Sequence, residues 1–171
     1  PGVAPGRGRG RRGGGVVGPG IAAGAGRQAT PVRLRGTDVA RGGKGIGAVS
    51  EVLQERLKKK QITRLQYEDQ LSLAGGTTDY SGFGRANLVI EAVFEDLAVK
   101  SALWADLDGR APGDAIFASN TSSIAIDRLA AAVRESRRAR FVGMHFFSPV
   151  PVMPLIELIR GSATDDPTEA A

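Results

Sequence analysis

Cysteine is absent from the 171 residues, and histidine and tryptophan occur once each. The missing cysteines exclude a disulfide framework, a thiolate zinc site and a cysteine nucleophile, and no metal site is expected. Aromatic residues are scarce, with none before Tyr67. No apolar run reaches the ~18–20 residues that span a bilayer, and no basic stretch followed by an apolar one opens the chain as a secretory signal would. The expected location is therefore a reducing cytoplasm. Acidic residues are missing from the first 27 positions, which carry Arg7, Arg9, Arg11, Arg12 and Arg27. The remainder balances 18 basic against 18 acidic residues, so the net charge of +5 belongs to the N-terminus. A neutral body argues against a broad nucleic-acid surface, which needs clustered positive charge. The hydrophobic fraction of 42% and charged fraction of 24% are ordinary for a globular chain, and the length suits one domain with its own core.

Residues 1–15 are almost entirely Gly, Arg and Pro, with Val3 and Ala4 as the only apolar side chains. Such a stretch cannot offset its ordering entropy by burial, and residues 1–12 read as a low-complexity Arg/Gly tail. From Val16 the small apolar run VVGPGIAAGAG opens a helix. Pro31–Leu34 reads as a short strand. Ser50–Lys60 reads as a helix burying Val52, Leu53 and Leu57, and Thr63–Leu73 as another using Leu65, Leu71 and Leu73. Asn87–Val93 is a short branched apolar run, the pattern of a strand buried on both faces. A helix over Glu95–Leu107 carries Leu97, Leu103, Trp104 and Leu107 on one side. Pro112-Gly113-Asp114 is a turn. A strand over Ala115–Ser119, a helix over Ser123–Val133 and a strand over Arg140–Met144 follow. Short apolar strands alternating with helices predict an α/β fold, a mostly parallel sheet flanked by helices.

Several residues carry chemistry. Gly13-Gly-Gly15-Val-Val-Gly18 satisfies G-x-G-x-x-G, the loop that brings backbone and a helix N-terminus up to a pyrophosphate. Eleven glycines among the first 26 residues make a chance match equally natural. The acid such a loop requires about 20 residues on, for ribose hydroxyls, has its nearest candidate in Asp38. His145 ends an apolar strand; it is either a packed core residue or a general base. Glu157, in Leu155-Ile-Glu-Leu-Ile159, fits the exposed face of a strand. Asn120-Thr-Ser-Ser123 follows a strand, with Ser123 suited to capping the next helix. Glu95 and Lys100 look like a solvated charge pair at a helix start, and Lys58-Lys59-Lys60 like a solvated helix end.

Residues 86–161, from ANLVIEAVFEDLAVK through ASNTSSIAI to GMHFFSPVPVMPLIELIRG, strongly resemble the NAD-binding domain of 3-hydroxyacyl-CoA dehydrogenases. KKKQITRLQYEDQL and TTDYSGF are most similar to the multifunctional alpha subunits of fatty acid oxidation complexes. The glycine run Gly13–Ala22 matches the family pattern G-A-G-x-M-G-x-G-I-A without gaps. In the same register Gly36 stands where the family has its ribose-binding aspartate. The resemblance implies a Rossmann-type domain over residues 13–171 with NAD as cofactor and an acyl-CoA as substrate. It further implies oxidation of (S)-3-hydroxyacyl-CoA to 3-ketoacyl-CoA. His145 would be the base, Glu157 its partner, and Ser122 the contact to the substrate hydroxyl and the nicotinamide. Gly13, Gly15, Gly18, Asp38, Val93, Phe94, Glu95, Lys100 and Ser148 would line the cofactor, and Lys59 would approach the coenzyme A phosphates.

The resemblance also implies that a helical C-terminal domain should follow Ala171. The chain is therefore expected to be truncated, to have little activity alone, and in full length to form a homo-oligomer or an oxidation complex. The related 3-hydroxybutyryl-CoA dehydrogenases are the second enzyme reading, and a degenerate non-catalytic fragment the third. RNA binding through the Arg/Gly tail, by charge and guanidinium stacking, is the rival from another class, and the lack of interleaved aromatics weighs against it.

Overall fold

The computed structural model describes residues 17–36, 38–147, 150, 153 and 155–171. Its chain forms two compact units: Pro1–Asp79 with Phe147–Pro154, and Tyr80–Phe146 with Leu155–Ala171.

In the first unit, helix α1 (Val17–Ala25) runs through a 3-10 turn into strand β1 (Val32–Arg35), followed by helices α2 (Val39–Lys58) and α3 (Arg64–Ser72) and strand β2 (Ala74–Thr77). β1 and β2 pair in parallel, Val32 opposite Ala74 and Arg35 opposite Thr77. Helix α2 begins eleven residues before the expected Ser50. Glycine-rich RGGKGIG has poor helix propensity, yet the segment is held by packing: Val49 and Leu53 are buried beside Ala22, Ala23 and Leu34, with Ile46 and Val52 against them. Arg56 also donates to the Ala23 carbonyl, at 3.1 Å. Helix α3 begins one residue after the expected Thr63, which acts instead as N-cap in a reciprocal capping box with Gln66. Leu65, expected inside, is 67% exposed, and α3 buries no residue fully. β2 was not expected at all. Its AGGT has no apolar alternation, but Gly75 leaves room for the Arg33 guanidinium from the neighbouring strand, which a Cβ there would strike.

In the second unit, strand β3 (Leu88–Glu91), helix α4 (Leu97–Asp108), strand β4 (Ile116–Ser119), short helices α5 (Ile126–Ala130) and α6 (Glu135–Arg138), strands β5 (Phe141–Phe146) and β6 (Ile156–Arg160), and helix α7 (Asp166–Ala170) follow in order. The sheet order is β3-β4-β5-β6, with the first three strands parallel and β6 antiparallel to β5. Trp104 stacks on Phe117 at 4.8 Å and meets Phe141 edge-on at 4.9 Å. Phe83, Val89, Leu107 and Leu129 close this core. Three expectations are corrected. The β3 run is not buried on both faces, since Leu88 is 40% exposed at the edge of its sheet. Glu95 lies outside α4, because Asp96 caps the helix by accepting from the Val99 N–H at 2.9 Å. The single helix expected over Ser123–Val133 is only α5. Its N-cap is Ala125, without a side-chain bond, so Ser123 does not cap it.

A second buried cluster sets the geometry behind β4. The Arg137 side chain is fully buried. Its guanidinium donates to Asp108 at 2.5 Å and to the carbonyls of Pro112, Ala115 and Ala111. It also lies 4.4 Å from the centre of the Phe117 ring. Burial pushes the Asp108 carboxyl up, but the Arg134 N–H and the Arg137 guanidinium hold it below its ordinary value. Asp108→Asn strands a buried cation and is expected to destabilise the chain by about 3 kcal/mol in urea unfolding. A change within experimental error would show that the four carbonyl and ring contacts suffice for Arg137.

Candidate active site

The carboxyl ends of β3, β4 and β5 each deliver polar groups. That is where open α/β sheets bind ligands. β3 ends in Glu91, opposite Ser119 at the end of β4, and Ser119 is opposite Gly143 in β5. Val93-Phe94-Glu95 and Asn120-Thr121-Ser122-Ser123 follow β3 and β4, and His145-Phe146 are the last two residues of β5.

His145 and Glu157 face each other across the antiparallel β5–β6 pair, with His145 Nδ1 3.0 Å from Glu157 Oε2. The imidazole is 24% exposed and the carboxylate 54%, so the pair sits at the surface of its sheet rather than in the core. The Asn120 side-chain oxygen accepts the Phe146 N–H at 2.9 Å, which ties the loop after β4 to the backbone immediately after His145.

Glu95 organises the Ser122 loop. Its Oε1 accepts the Thr121 hydroxyl at 2.5 Å, the N–H groups of Ser122 and Ser123 at 3.0 and 3.1 Å, and the Ser123 hydroxyl at 3.1 Å. Its other oxygen lies 3.3 Å from Lys100 Nζ. The Ile124 N–H donates back to Thr121 Oγ1 at 3.0 Å. Desolvation, the largest single influence, pushes the Glu95 carboxyl up. The Thr121 hydroxyl, the Lys100 charge, the Ser122 N–H and the Ser123 hydroxyl together outweigh it and bring the pKa down to about 2.

From the residues alone Lys100 reads as one half of a solvated charge pair with Glu95. It is instead fully buried, paired with the equally buried Glu91 at 2.7 Å. Val93 is half-buried, its N–H bonded to Glu91 at 2.6 Å, and Phe94 is 50% exposed. Glu91 and Ser119 lie among these candidate residues but were not singled out from sequence, and Asn120 and Thr121 were read only as part of the Asn120-Thr-Ser-Ser123 motif. The available signal was an acid closing the apolar run LVIE, nine residues before a lysine.

In the other unit, Gly18 is buried in the first turn of α1. Gly36, just after β1, is buried and donates its N–H to the Thr77 carbonyl at 2.9 Å. Asp38 is exposed at the entry to α2, and Lys59 is exposed in the turn that ends α2. Gly13, Gly15 and Ser148, with the expected Arg/Gly tail, lie outside the described residues.

Because the folded pKa of Glu95 is depressed, its stabilising contribution is complete above the ordinary value of 4.5 and is lost as pH falls toward about 2. The stability difference between the wild type and Glu95→Gln should thus be constant above pH 5 or so and shrink through that window. A difference independent of pH would show that the carboxylate charge is not what the loop uses.

The profile of the family "3-hydroxyacyl-CoA dehydrogenase, NAD binding domain" matches residues 12–171. Fatty acid oxidation complex alpha subunits of Pseudomonas entomophila and Pseudomonas putida are 38% identical over 154 residues, which is 90% of this chain and 21% of theirs. The chain thus spans about a fifth of the length of these curated relatives. The crystal structure of FadB2 from M. tuberculosis has a TM-score of 0.87 at 38% identity, over 99% of this chain and 56% of that one. An (S)-3-hydroxybutyryl-CoA dehydrogenase from Ralstonia eutropha gives 0.87 at 37%, with the same coverage. Among the described residues no helix is long and apolar enough to cross a membrane. With its Rossmann-like α/β fold, the chain belongs to the family of 3-hydroxyacyl-CoA dehydrogenase NAD-binding domains.

Proposed function

We propose that this domain serves the oxidation of (S)-3-hydroxyacyl-CoA to 3-ketoacyl-CoA in fatty acid β-oxidation. The observation that carries the reading is the His145–Glu157 pair at the open end of the sheet, 3.0 Å apart. His145 is the general base. With Nδ1 toward Glu157, the ring is assigned to take the proton of the C3 hydroxyl at Nε2. Glu157 orients the imidazole and stabilises the imidazolium that results, as a buried aspartate does in a hydrolase triad. Ser122, exposed on its loop, donates its hydroxyl to the substrate oxygen. Bound NAD supplies the acceptor for the hydride that leaves C3.

The residues present fit that cofactor. Helix α1 begins within the glycine run, with Gly18 in its first turn, and has no acid there, so its N-terminal N–H groups suit a phosphate. The assignment places Gly13, Gly15 and Gly18 at the pyrophosphate. Asp38 takes the ribose hydroxyls in place of the acid that Gly36 lacks. Val93, Phe94, Glu95 and Ser148 go to the nicotinamide end, and Lys59 to the coenzyme A phosphates. Lys100, with its ammonium bound to Glu91, Glu95 and the Val93 carbonyl, serves from beneath the site. Residues 13–171 are the domain and 1–12 its tail. The protein is cytoplasmic, and its partners are acyl-CoA together with other copies or subunits of an oxidation complex.

Titrating the 171-residue chain with NADH should give saturable enhancement of cofactor fluorescence. No binding up to millimolar NADH would overturn the cofactor assignment. In the intact enzyme, His145→Gln should lower turnover of 3-hydroxybutyryl-CoA by about 10²–10⁴-fold and leave NADH affinity within about two-fold. Undiminished turnover would place the base elsewhere.

A further inference from the structure

We propose that Glu91 is a positioning residue for the Ser122 loop, acting through Lys100. The proposal rests on the cofactor reading above, and no comparison assigns Glu91 a role.

Glu91 and Lys100 are both fully buried. A buried ion pair contributes little net stability, and well-packed apolar residues of the same volume often do as well or better. The pair is therefore weakly explained by stability. Its geometry offers a better account. An ammonium group has three donors, and Lys100 directs Nζ at three oxygens: Glu91 Oε1 at 2.7 Å, Glu95 Oε2 at 3.3 Å and the Val93 carbonyl at 3.5 Å. The lysine thus has a fixed position rather than a mobile charge.

Each neighbour of that ammonium leads to the same loop. Glu91 Oε2 accepts the Ser119 hydroxyl at 2.6 Å, which fixes the backbone just before Asn120. Glu95, held through Oε2, turns Oε1 to the N–H groups of Ser122 and Ser123. The path Ser119–Glu91–Lys100–Glu95–Ser122 leaves the end of β4 and returns to it three residues later. It is a closed ring of polar contacts around one turn of backbone. Glu91 Oε1 also accepts the Val93 N–H at 2.6 Å, so the segment leading to Phe94 is fixed by the same carboxylate. Neutralising Glu91 leaves Lys100 with one carboxylate instead of two and weakens the ring at the point farthest from Ser122.

The test compares Glu91→Gln with Asp108→Asn, which breaks a buried ion pair elsewhere in the same unit, at a temperature where both are folded by circular dichroism. Glu91→Gln is expected to raise the NADH dissociation constant about ten-fold or more and to shift the amide proton resonances of Ser122 and Ser123. Asp108→Asn should lower Tm while leaving the dissociation constant within about two-fold and those resonances in place. If Glu91→Gln does not fold, Ser119→Ala replaces it, since it removes one bond to the Glu91 carboxylate without stranding a charge. It should raise the constant about three-fold and move the same resonances. Wild-type affinity and unmoved Ser122 and Ser123 amides in the folded variant would overturn the proposal. If the wild type itself binds no NADH, the cofactor reading fails. The amide shifts still decide whether Glu91 positions the loop.

Discussion

A primary ammonium group cannot be buried without anions in reach, and the carboxyl ends of β3 and β4 are arranged around that requirement. Lys100 stands in the first turn of α4, after the Asp96 cap, where the helix dipole disfavours a cation. Its position is tenable because Glu91 and Glu95 converge on it. One acid comes from the last residue of a strand and the other from the loop between that strand and the helix. The entry to α4, the exit from β3 and the loop after β4 are therefore mutually dependent. Moving any one of them would leave a charge without its partner.

The same unit buries a second cation at the opposite end of β4, and the two use different chemistry. Arg137 spreads its donors over Asp108 and three carbonyls and lays its plane near Phe117. A planar fork suits fixed carbonyls and an aromatic face. This cluster lies where β4 begins, away from any group assigned to chemistry, and it joins α4, β4 and α6. Lys100, a compact point charge, gathers carboxylates where β4 ends. Both ends of one central strand are thus pinned by buried charge. At the Arg137 end one acid, Asp108, also accepts from Arg134; at the Lys100 end two acids converge, and they reach on to the last residue of β4 and the loop after it.

What could be read from the sequence follows from how local each signal is. β3, β4 and β5 were legible because each is a branched or aromatic run bounded by turn residues, and the buried Trp104 and Leu107 follow from the helical spacing of the segment between β3 and β4. The front half of α2 was not, because glycine propensity points the other way and the packing of Val49 and Leu53 on α1 and β1 decides the matter. β2 escaped notice because Ala-Gly-Gly-Thr shows no alternation; its place comes from pairing with β1. The structure brings His145 to Glu157 and Glu95 to the Ser122 loop, and these four candidate residues were named through the resemblance carried by the motifs around them. Glu91 was not, since an acid at the end of an apolar run looks like a boundary. Its role depends on a lysine that sequence alone places in solvent.

The pairing of His145 with Glu157 is a matter of register rather than of sequence spacing alone. In an antiparallel ladder a slip of one residue would set an apolar side chain, Ile156 or Leu158, opposite the imidazole. The alignment is held two residues away. Gly143 lies opposite Ile159, and a Cβ at Gly143 would come within 2.7 Å of Ile126 Cδ1 and 3.0 Å of Ile159 Cβ. Only a residue without a side chain lets α5 and β6 approach β5 this closely. The turn after β6 adds a second restraint, with the Ser162 N–H and hydroxyl both on Asp127 of α5. Thr164 bonds the Phe141 carbonyl at 2.6 Å. β6 is therefore clamped at its far end by α5 and β5, and that clamp fixes the carboxylate on the histidine.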